Sequence, residues 1–400
     1  MPRPLLVLTV VAGLLCAPGQ SPAAVTGETI LVDGPSFAAS LDGVTDGWTL
    51  QFSESGKIRP VFAAELVRWG NFAEATRGPQ LLLGGGGLII AEPVAIAGDR
   101  LQAESRLFGR LELPLEALSG IVVNSPTDRA ARDQLIGRIQ SAGGQSDRVL
   151  LDNGDELSGT ISDLNGEVLR LQSEPGPLEL RLTSVRALIF NPALAGKVGL
   201  SGERALVGFR DGSRLLASRL VTSQRQARLK IPGSVDISAP IDSACALLPL
   251  GGKPVYLSDL NAVSYKHVPY LSTAWPYERD RSVSGALLRS AGQLHLKGLG
   301  MHSASRITYA LDKPYRRLQA EVAVDDETQN RGSVVFRVFV DDGSGQWQPK
   351  FSSPIVRGGD KPLPISVDLS GAKRISLLVD FADRGSEMDH ADWLNVRLVQ

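Results

Sequence analysis

The chain has 400 residues, and its 42 lysine and arginine residues nearly balance its 43 aspartate and glutamate residues. Such a balance gives no electric field that would gather nucleic acid or an anionic membrane surface, so we expect neither partner. Hydrophobic residues make up 43% of the chain, and glycine and proline recur between short apolar runs. The composition predicts a folded, mainly β protein of two or three domains.

Residues 1–23 have the pattern of a bacterial-type signal peptide. Arg3 supplies the positive charge, residues 5–16 form the apolar stretch, and small residues lead to a cleavage site at Ala23. Lipid attachment at Cys16 is the alternative, but the bulky Leu15 precedes it. The apolar stretch is too short to span a bilayer, so we expect a secreted, periplasmic or cell-surface protein without membrane insertion.

Cys245 is the remaining cysteine after such a cleavage. It lies in the apolar run 244–248, where a small buried side chain is expected rather than a catalytic thiol.

A pattern of about 40 residues occurs four times, twice in residues 29–125 and twice in residues 147–250. Each copy has short alternating strands separated by turns, such as Asp33-Gly34 and Asp211-Gly212. We therefore predict repeated small antiparallel meanders or barrels, which resemble Sm-like small barrels and act as a spacer or assembly surface. The linker 126–146 is expected to contain a short helix that opens at Asp128. Unequal spacing disfavours a closed propeller.

Residues 253–400 differ in composition, because they contain all four histidines and three of the five tryptophans. Aromatic faces can cover the apolar face of a sugar while polar side chains bond its hydroxyls, although such residues are also common in β cores. About eight alternating strands, with a glycine-rich turn at 298–300, predict a jelly-roll β-sandwich.

Six short motifs follow one another in this region: VYLSDL (255–260), KGLGMHSAS (297–305), VDDET (324–328), VVFRVFVD (334–341), SVDLSGAKRISLLV (366–379) and DHADW (389–393). Their order resembles the NPCBM family of carbohydrate-binding modules. The resemblance implies a galactose-binding-like β-sandwich that recognises terminal galactose-type sugars and, in some members, holds a structural calcium ion. The loop after Asp341 is longer than the corresponding family segment, which leaves open a changed ligand or a lost sugar site.

The candidate glycan contacts are aromatic, imidazole and carboxylate side chains of this region. Each has a structural alternative: a histidine bonding across the sandwich, a ring plugging the domain junction, or a hydrogen-bonded corner that locks the fold. The candidates are His302, Trp275, Tyr277, Trp347, His390, Asp389 and Trp393.

Calcium prefers carboxylate oxygens, and the acidic turn after strand 318–324 could supply them unless it is merely solvated. The candidate metal ligands are Asp325, Asp326, Asp259 and Asp392.

The sequence carries none of the common hydrolase, phosphate-binding or CxxC motifs. We therefore predict a secreted, non-catalytic glycan-binding protein. The alternatives are an envelope protein that has lost the sugar site and contacts other envelope proteins, or a glycoside hydrolase or its accessory.

Overall fold

The computed structural model describes residues 24–75, 78–196, 202–270 and 272–400. The expected signal peptide, residues 1–23, lies outside the described residues. Within them, no helix is long and apolar enough to cross a membrane.

The first two repeat units consist of short antiparallel strands. The strands of the first unit are β1 (Thr26–Leu31), β2 (Phe37–Val44), β3 (Thr49–Glu54), β4 (Lys57–Phe62) and β5 (Leu66–Gly70). Those of the second unit are β6 (Gln80–Leu83), β7 (Leu88–Ile90), β8 (Glu92–Ala97), β9 (Arg100–Ser105), β10 (Gly109–Pro114) and β11 (Leu118–Val122).

Helix α1 (Arg129–Gln140) follows the second unit, and the Asp128 carboxylate accepts a hydrogen bond from the Ala131 amide at its first turn. The third unit contains β12 (Asp147–Leu151), β13 (Glu156–Asn165), β14 (Val168–Ser173), β15 (Gly176–Arg181) and β16 (Val185–Ile189). The fourth contains β17 (Arg204–Phe209), β18 (Arg214–Ala217), β19 (Arg219–Ser223), β20 (Gln226–Ile231), β21 (Val235–Pro240) and β22 (Ala244–Leu250).

Each unit closes on itself, because its first strand pairs with its last: β1 with β5, β6 with β11, β12 with β16 and β17 with β22. Short 3₁₀ turns at Ala63–Glu65, Leu115–Ala117, Leu182–Ser184 and Ile241–Ser243 precede the closing strands. The units also pair with one another, through β5 with β22 and β11 with β16. The prediction of a mainly β fold with several small antiparallel sheets is therefore confirmed. Cys245 is buried, and burial raises the pKa of its thiol.

The C-terminal region forms two facing antiparallel sheets, as the sandwich prediction requires. Its strands are β23 (Val255–Tyr256), β24 (Ser264–His267), β25 (Glu278–Arg279), β26 (Leu288–Ser290), β27 (Gln293–His295), β28 (Gly298–His302), β29 (Ser305–Ala310), β30 (Arg317–Val324), β31 (Ser333–Asp341), β32 (Gln348–Ser352), β33 (Val356–Arg357), β34 (Leu363–Asp368), β35 (Arg374–Phe381) and β36 (His390–Val399). One sheet has the order β25-β28-β36-β30-β34 and the other β24-β29-β35-β31-β32. Between them the rings of Phe336 and Trp393 meet edge to face at 5.0 Å.

The prediction of a glycine-rich turn at residues 298–300 is wrong, because these residues belong to the buried strand β28. A Cβ atom on Gly300 would lie 2.4 Å from the Arg281 carbonyl oxygen. The glycine is therefore required by close backbone approach rather than by a turn.

The hairpin β26–β27 pairs with neither main sheet and lies between the sandwich and the repeats. Leu294 makes a β-bridge to Phe72 of the repeat region. Apolar contacts extend this junction, since Val399 packs with Val32 and Val67. The two regions consequently share a buried interface.

Candidate functional site

Four aromatic side chains meet at one end of the sandwich. The Trp275 indole stacks on the His302 imidazole, with ring centres 5.1 Å apart and an interplanar angle of 3°. His390 lies 5.6 Å from Trp275 and 5.8 Å from His302, and His267 lies 5.7 Å from His302. We call these four residues the ring cluster. Trp275, His390 and His267 are half-buried, so part of the cluster faces solvent.

Strand pairing and two hydrogen bonds position the ring cluster. His302 at the end of β28 lies opposite His390 at the start of β36. The Trp275 amide donates to Nδ1 of His267 at 3.1 Å, and the Tyr265 hydroxyl donates to the Trp275 carbonyl at 2.9 Å. These two hydrogen bonds fix the backbone of Trp275 at its amide and at its carbonyl group.

The imidazole under the indole is uncharged at neutral pH. His302 is 5% exposed, and burial, followed by the nearby His390, lowers the pKa of His302 to about 4. Burial also lowers the pKa of His267. A neutral ring can stack on the indole without the cost of burying a charge.

One carboxylate holds His390 in place. Oε1 of Glu327 lies 2.6 Å from Nδ1 of His390, and the hydroxyls of Ser282 and Ser284 each donate to Glu327 at 2.6 Å. Burial alone would raise the pKa of Glu327, but the bonds from His390, Ser282 and Ser284 outweigh it and lower that pKa. Glu327 is therefore an anion with its acceptor positions occupied.

A buried pair of aspartates lies behind this carboxylate. Asp325 accepts hydrogen bonds from the amides of Arg289 at 2.9 Å and Glu327 at 2.8 Å. Burial raises the pKa of Asp325 to about 6, and burial together with the adjacent Asp325 raises the pKa of Asp392 well above its ordinary value. The raised pKa of Asp392 reflects the cost of placing a second buried charge beside Asp325.

These carboxylates do not fit a calcium ion, which takes six to eight oxygen ligands. Asp325 is occupied by backbone amides, Asp326 accepts from the amides of Ala291 and Gly292, and Asp259 bonds Lys297 at 2.6 Å. Among the described residues no group of three or more His, Cys, Asp or Glu side chains is arranged to hold a metal. The structure therefore does not bring Asp325, Asp326, Asp259 and Asp392 together as one ligand set.

Residues 253–399 match the family model described as the NPCBM/NEW2 domain. This match contains all six motifs, which lie between residues 255 and 393. Residues 253–399 form an NPCBM/NEW2 domain. The resemblance found in the sequence is therefore confirmed, and the chain carries a domain of a carbohydrate-binding family.

A curated relative of the chain is a Renibacterium salmoninarum protein named "Putative endo-alpha-N-acetylgalactosaminidase". It is 29% identical over 170 residues, which cover 40% of this chain and 11% of that protein. The chain thus spans about a tenth of the length of this relative.

Two solved structures from Clostridium perfringens are similar to this chain at 25% identity and a TM-score of 0.32. One contains CBM51-2, in complex with GlcNAc, and the INT domains of ZmpB; the match covers 47% of this chain and 42% of that chain. The other is CBM51 of GH95 in complex with methyl-galactose, where 36% of this chain and 99% of that chain are covered.

Three predicted contact residues are buried in the NPCBM/NEW2 domain. Asp389 and Trp393 are 0% exposed, the first bonding the Ser333 amide at 2.9 Å and the second packing on Phe336. His302 lies beneath the Trp275 indole. The structure therefore corrects their assignment: they support the surface from below and cannot touch a ligand directly.

Trp347 lies at the opposite end of the NPCBM/NEW2 domain, where the Arg374 guanidinium carbon is 5.3 Å from its ring centre. Strand β31 separates the two ends, with Ser333 beside Asp389 and Asp341 near Trp347. Nine residues of strand span about 26 Å at 3.3 Å per residue. The structure therefore does not bring Trp347 into the ring cluster.

Tyr277 lies next to the ring cluster rather than inside it. Its ring centre is 5.1 Å from that of Tyr265, whose hydroxyl bonds the Trp275 carbonyl. Tyr277 is half-buried and lines a cleft whose other wall is formed by helix α1.

A polar cleft of about 310 Å³, which was not predicted from the sequence, lies at the same end of the domain as Asp389. Its walls include the ion pairs Arg331–Glu387 and Arg357–Asp383. Left-handed backbone at Asn330 and Arg384 shapes the loops. The signals in the sequence were the Asn-Arg-Gly, Arg-Gly-Gly-Asp and Asp-Arg-Gly runs, which are typical of tight polar loops.

Proposed function

We propose that the NPCBM/NEW2 domain binds a glycan at the end of the sandwich that carries the ring cluster. The observation that supports this most is the half-buried Trp275 indole, supported from below by a neutral imidazole and held by two backbone hydrogen bonds. A fixed indole can stack on the apolar face of a sugar without losing rotamer entropy on binding.

The polar cleft near Asp389 provides the second element of this proposal. Guanidinium and carboxylate groups of Arg331, Arg357 and Asp383 supply donors and acceptors for sugar hydroxyls. A volume of about 310 Å³ is of the size of a small-ligand pocket. We infer modest affinity for a single sugar, because hydroxyls are well hydrated and little area is buried.

We also propose that the domain is non-catalytic, that the protein is exported, and that the sugar is of the terminal galactose type. Glu327, the carboxylate closest to the ring cluster, has its oxygens engaged by Ser282, Ser284 and His390. A carboxyl group held in this way is poorly suited to exchange protons with a substrate. Sequencing the mature N-terminus tests export, since cleavage after Ala23 would leave Ala24 first.

The glycan proposal is tested by titrating the full chain with saccharides ending in galactose, N-acetylgalactosamine or N-acetylglucosamine, using calorimetry. Trp275→Ala should weaken binding at least about tenfold, the effect of losing one stacking contact. Trp347→Ala is the matched control and should change the affinity less than twofold. Product analysis of the same mixtures tests for hydrolysis.

The reverse result, with Trp347→Ala weakening binding and Trp275→Ala not, would move the site to the other end of the sandwich. Absence of binding to every saccharide would favour the alternative of an envelope protein that contacts other proteins.

A further inference from the structure

A second cleft lies between helix α1 of the repeat region and residues 277–285 of the NPCBM/NEW2 domain, which follow Trp275 in the chain. It has a volume of about 650 Å³, and its lining includes Arg138, Tyr277, Glu278, Arg279 and Arg281. We call it the arginine cleft. Because one wall comes from α1 and the other from the NPCBM/NEW2 domain, it exists only in the full chain.

Two of its arginines make no ion pair within the part of the chain that the structure describes. Arg279 donates to the side-chain oxygens of Asn261 and Tyr277, at 3.2 and 3.3 Å. Arg281 donates to the Gly285 carbonyl at 3.2 Å and to Oε1 of Gln140 at 3.1 Å. All four acceptors are neutral, so neither guanidinium is hydrogen-bonded to a carboxylate.

The other charges of the cleft do not cancel these two. Arg138 adds a third guanidinium and pairs with Glu156 outside the lining. Glu278 is the single carboxylate among the lining residues, and burial raises its pKa, which opposes its ionisation. Burial also lowers the pKa of Arg281 and outweighs the opposing effect of the carboxylates of Asp133, Glu278 and Asp280.

The arginine cleft and the ring cluster lie along the same pair of strands. Arg279 of β25 is opposite Leu299 of β28, and His302 is three residues further along β28. At 3.3 Å per residue this separation is about 10 Å, roughly the length of a disaccharide. Tyr277 bridges the interval through its contact with Tyr265.

We propose that the arginine cleft binds the carboxylate or sulfate group of an acidic glycan whose neighbouring sugar occupies the ring cluster. Planar guanidinium groups suit both anions, because each presents paired N–H donors to two oxygens. The inference rests on the proposed function and specifies the class of glycan.

The test compares three probes on the full chain by calorimetry: a neutral galactose oligosaccharide, an oligogalacturonate and a galactose oligosaccharide bearing sulfate esters. At low salt at least one acidic probe should bind about tenfold more tightly than the neutral one, the effect of one charge-assisted hydrogen bond. The acidic probe that binds more tightly shows whether the cleft prefers a carboxylate or a sulfate group. Raising the ionic strength to about 0.3 M should reduce the preference through screening.

Arg279→Gln and Arg281→Gln should each remove most of the preference, while Arg228→Gln, which deletes an exposed charge in the fourth repeat unit, should retain it. Thermal unfolding checks that each variant folds, and the exposed Arg279 provides the test if Arg281→Gln does not. Equal affinities for neutral and acidic probes, or a preference that survives both substitutions, would overturn the inference. If neutral binding still depended on Trp275 in that case, the proposed function would stand; if no probe bound, both would fail.

Discussion

The guanidinium of Arg289 in the NPCBM/NEW2 domain forms a buried ion pair with the carboxylate of Asp133 in helix α1, with Nη2 and Oδ1 3.2 Å apart. The carboxylate of Glu74 from the repeat region also accepts two hydrogen bonds from Arg289, at 2.7 Å from Nε and at 2.6 Å from Nη2. The backbone amide of the same Arg289 bonds Asp325, which orders the turn that carries Glu327. One residue thus connects the repeats to the support of His390.

Replacing Arg289 with alanine should destabilise the protein by about 3–5 kcal/mol, because it leaves Asp133 buried without its cation. Chemical denaturation measures this change. The matched control is Arg316→Ala, which removes an exposed pair with Asp33 across the same junction and should cost at most about 1 kcal/mol. Equal losses in the two variants would show that the buried pair has no special role.

The lowered pKa of His302 predicts a pH-dependent contribution to stability. The unfolded side chain, with an ordinary pKa of 6.5, binds a proton at pH 5, whereas the folded one, with a pKa of about 4, remains neutral. This contribution is therefore absent above pH 7 and destabilises the fold as the pH falls from about 6.5 to 4.

Comparison with His302→Gln isolates this group from the other titrating residues. The stability of the natural protein relative to the variant should fall by about 2 kcal/mol between pH 8 and pH 5, from 1.36 kcal/mol per pKa unit. Denaturation at the two pH values measures the difference. A pH-independent difference would mean that His302 titrates normally in the folded protein.

The contribution of Asp392 to stability changes with pH in the opposite direction to that of His302. Its folded pKa is raised, so keeping it in the fold becomes less favourable as the pH rises above 3.8. Asp392→Asn removes that charge, and its stability relative to the natural protein should increase from pH 4 to pH 8. Asp236→Asn, at an exposed position of the fourth repeat unit, is the control and should show little change. If the stability of Asp392→Asn relative to the natural protein fell between pH 4 and pH 8, this account would be contradicted.

The carboxylate geometry also predicts the effect of metal removal. A chelator should leave the thermal midpoint of unfolding unchanged, because Asp325 and Asp326 are engaged by amides and Asp259 by Lys297. Differential scanning calorimetry with added calcium and with the chelator tests this. A midpoint that rises with calcium, and no longer does so in Asp392→Asn, would restore the metal site.

Gly300→Ala should destabilise the domain by roughly 1–3 kcal/mol through overpacking, because the new Cβ would lie 2.4 Å from the Arg281 carbonyl oxygen. Gly143→Ala has nothing within 4 Å of its new Cβ and is the control. Thermal unfolding of both variants decides whether the close approach of Gly300 to the backbone of Arg281 matters. Equal midpoints would show that the segment containing Arg281 can move away from β28 without cost.

The sequence predicted the strands and the family because both depend on local patterns. Alternation of apolar residues along β30, β31 and β35 follows directly from one buried face per strand. The ordered motifs then indicated the NPCBM resemblance. Trp275 and His390 were identified by residue type alone.

What the sequence could not reveal was which rings end up buried and which meet. Trp393 and Trp347 are both candidate contacts in the sequence, yet Trp393 lies in the core and Trp347 lies at the far end of β31 from Asp389. The role of Arg289 depends on Glu74 and Asp133, more than 150 residues away in the chain. Such pairs carry no local signal.

The pairing of β5 with β22 places the first repeat unit beside the fourth. In an open array a further copy can be added at either end, since each copy contacts only its neighbours. Here the first copy is hydrogen-bonded to the fourth, so an extra copy inserted between them would have to break an existing strand pair. A cut in the segment between the second and third copies should therefore leave both fragments bound to each other, because the strand pairs β5–β22 and β11–β16 join copies on the two sides of the cut.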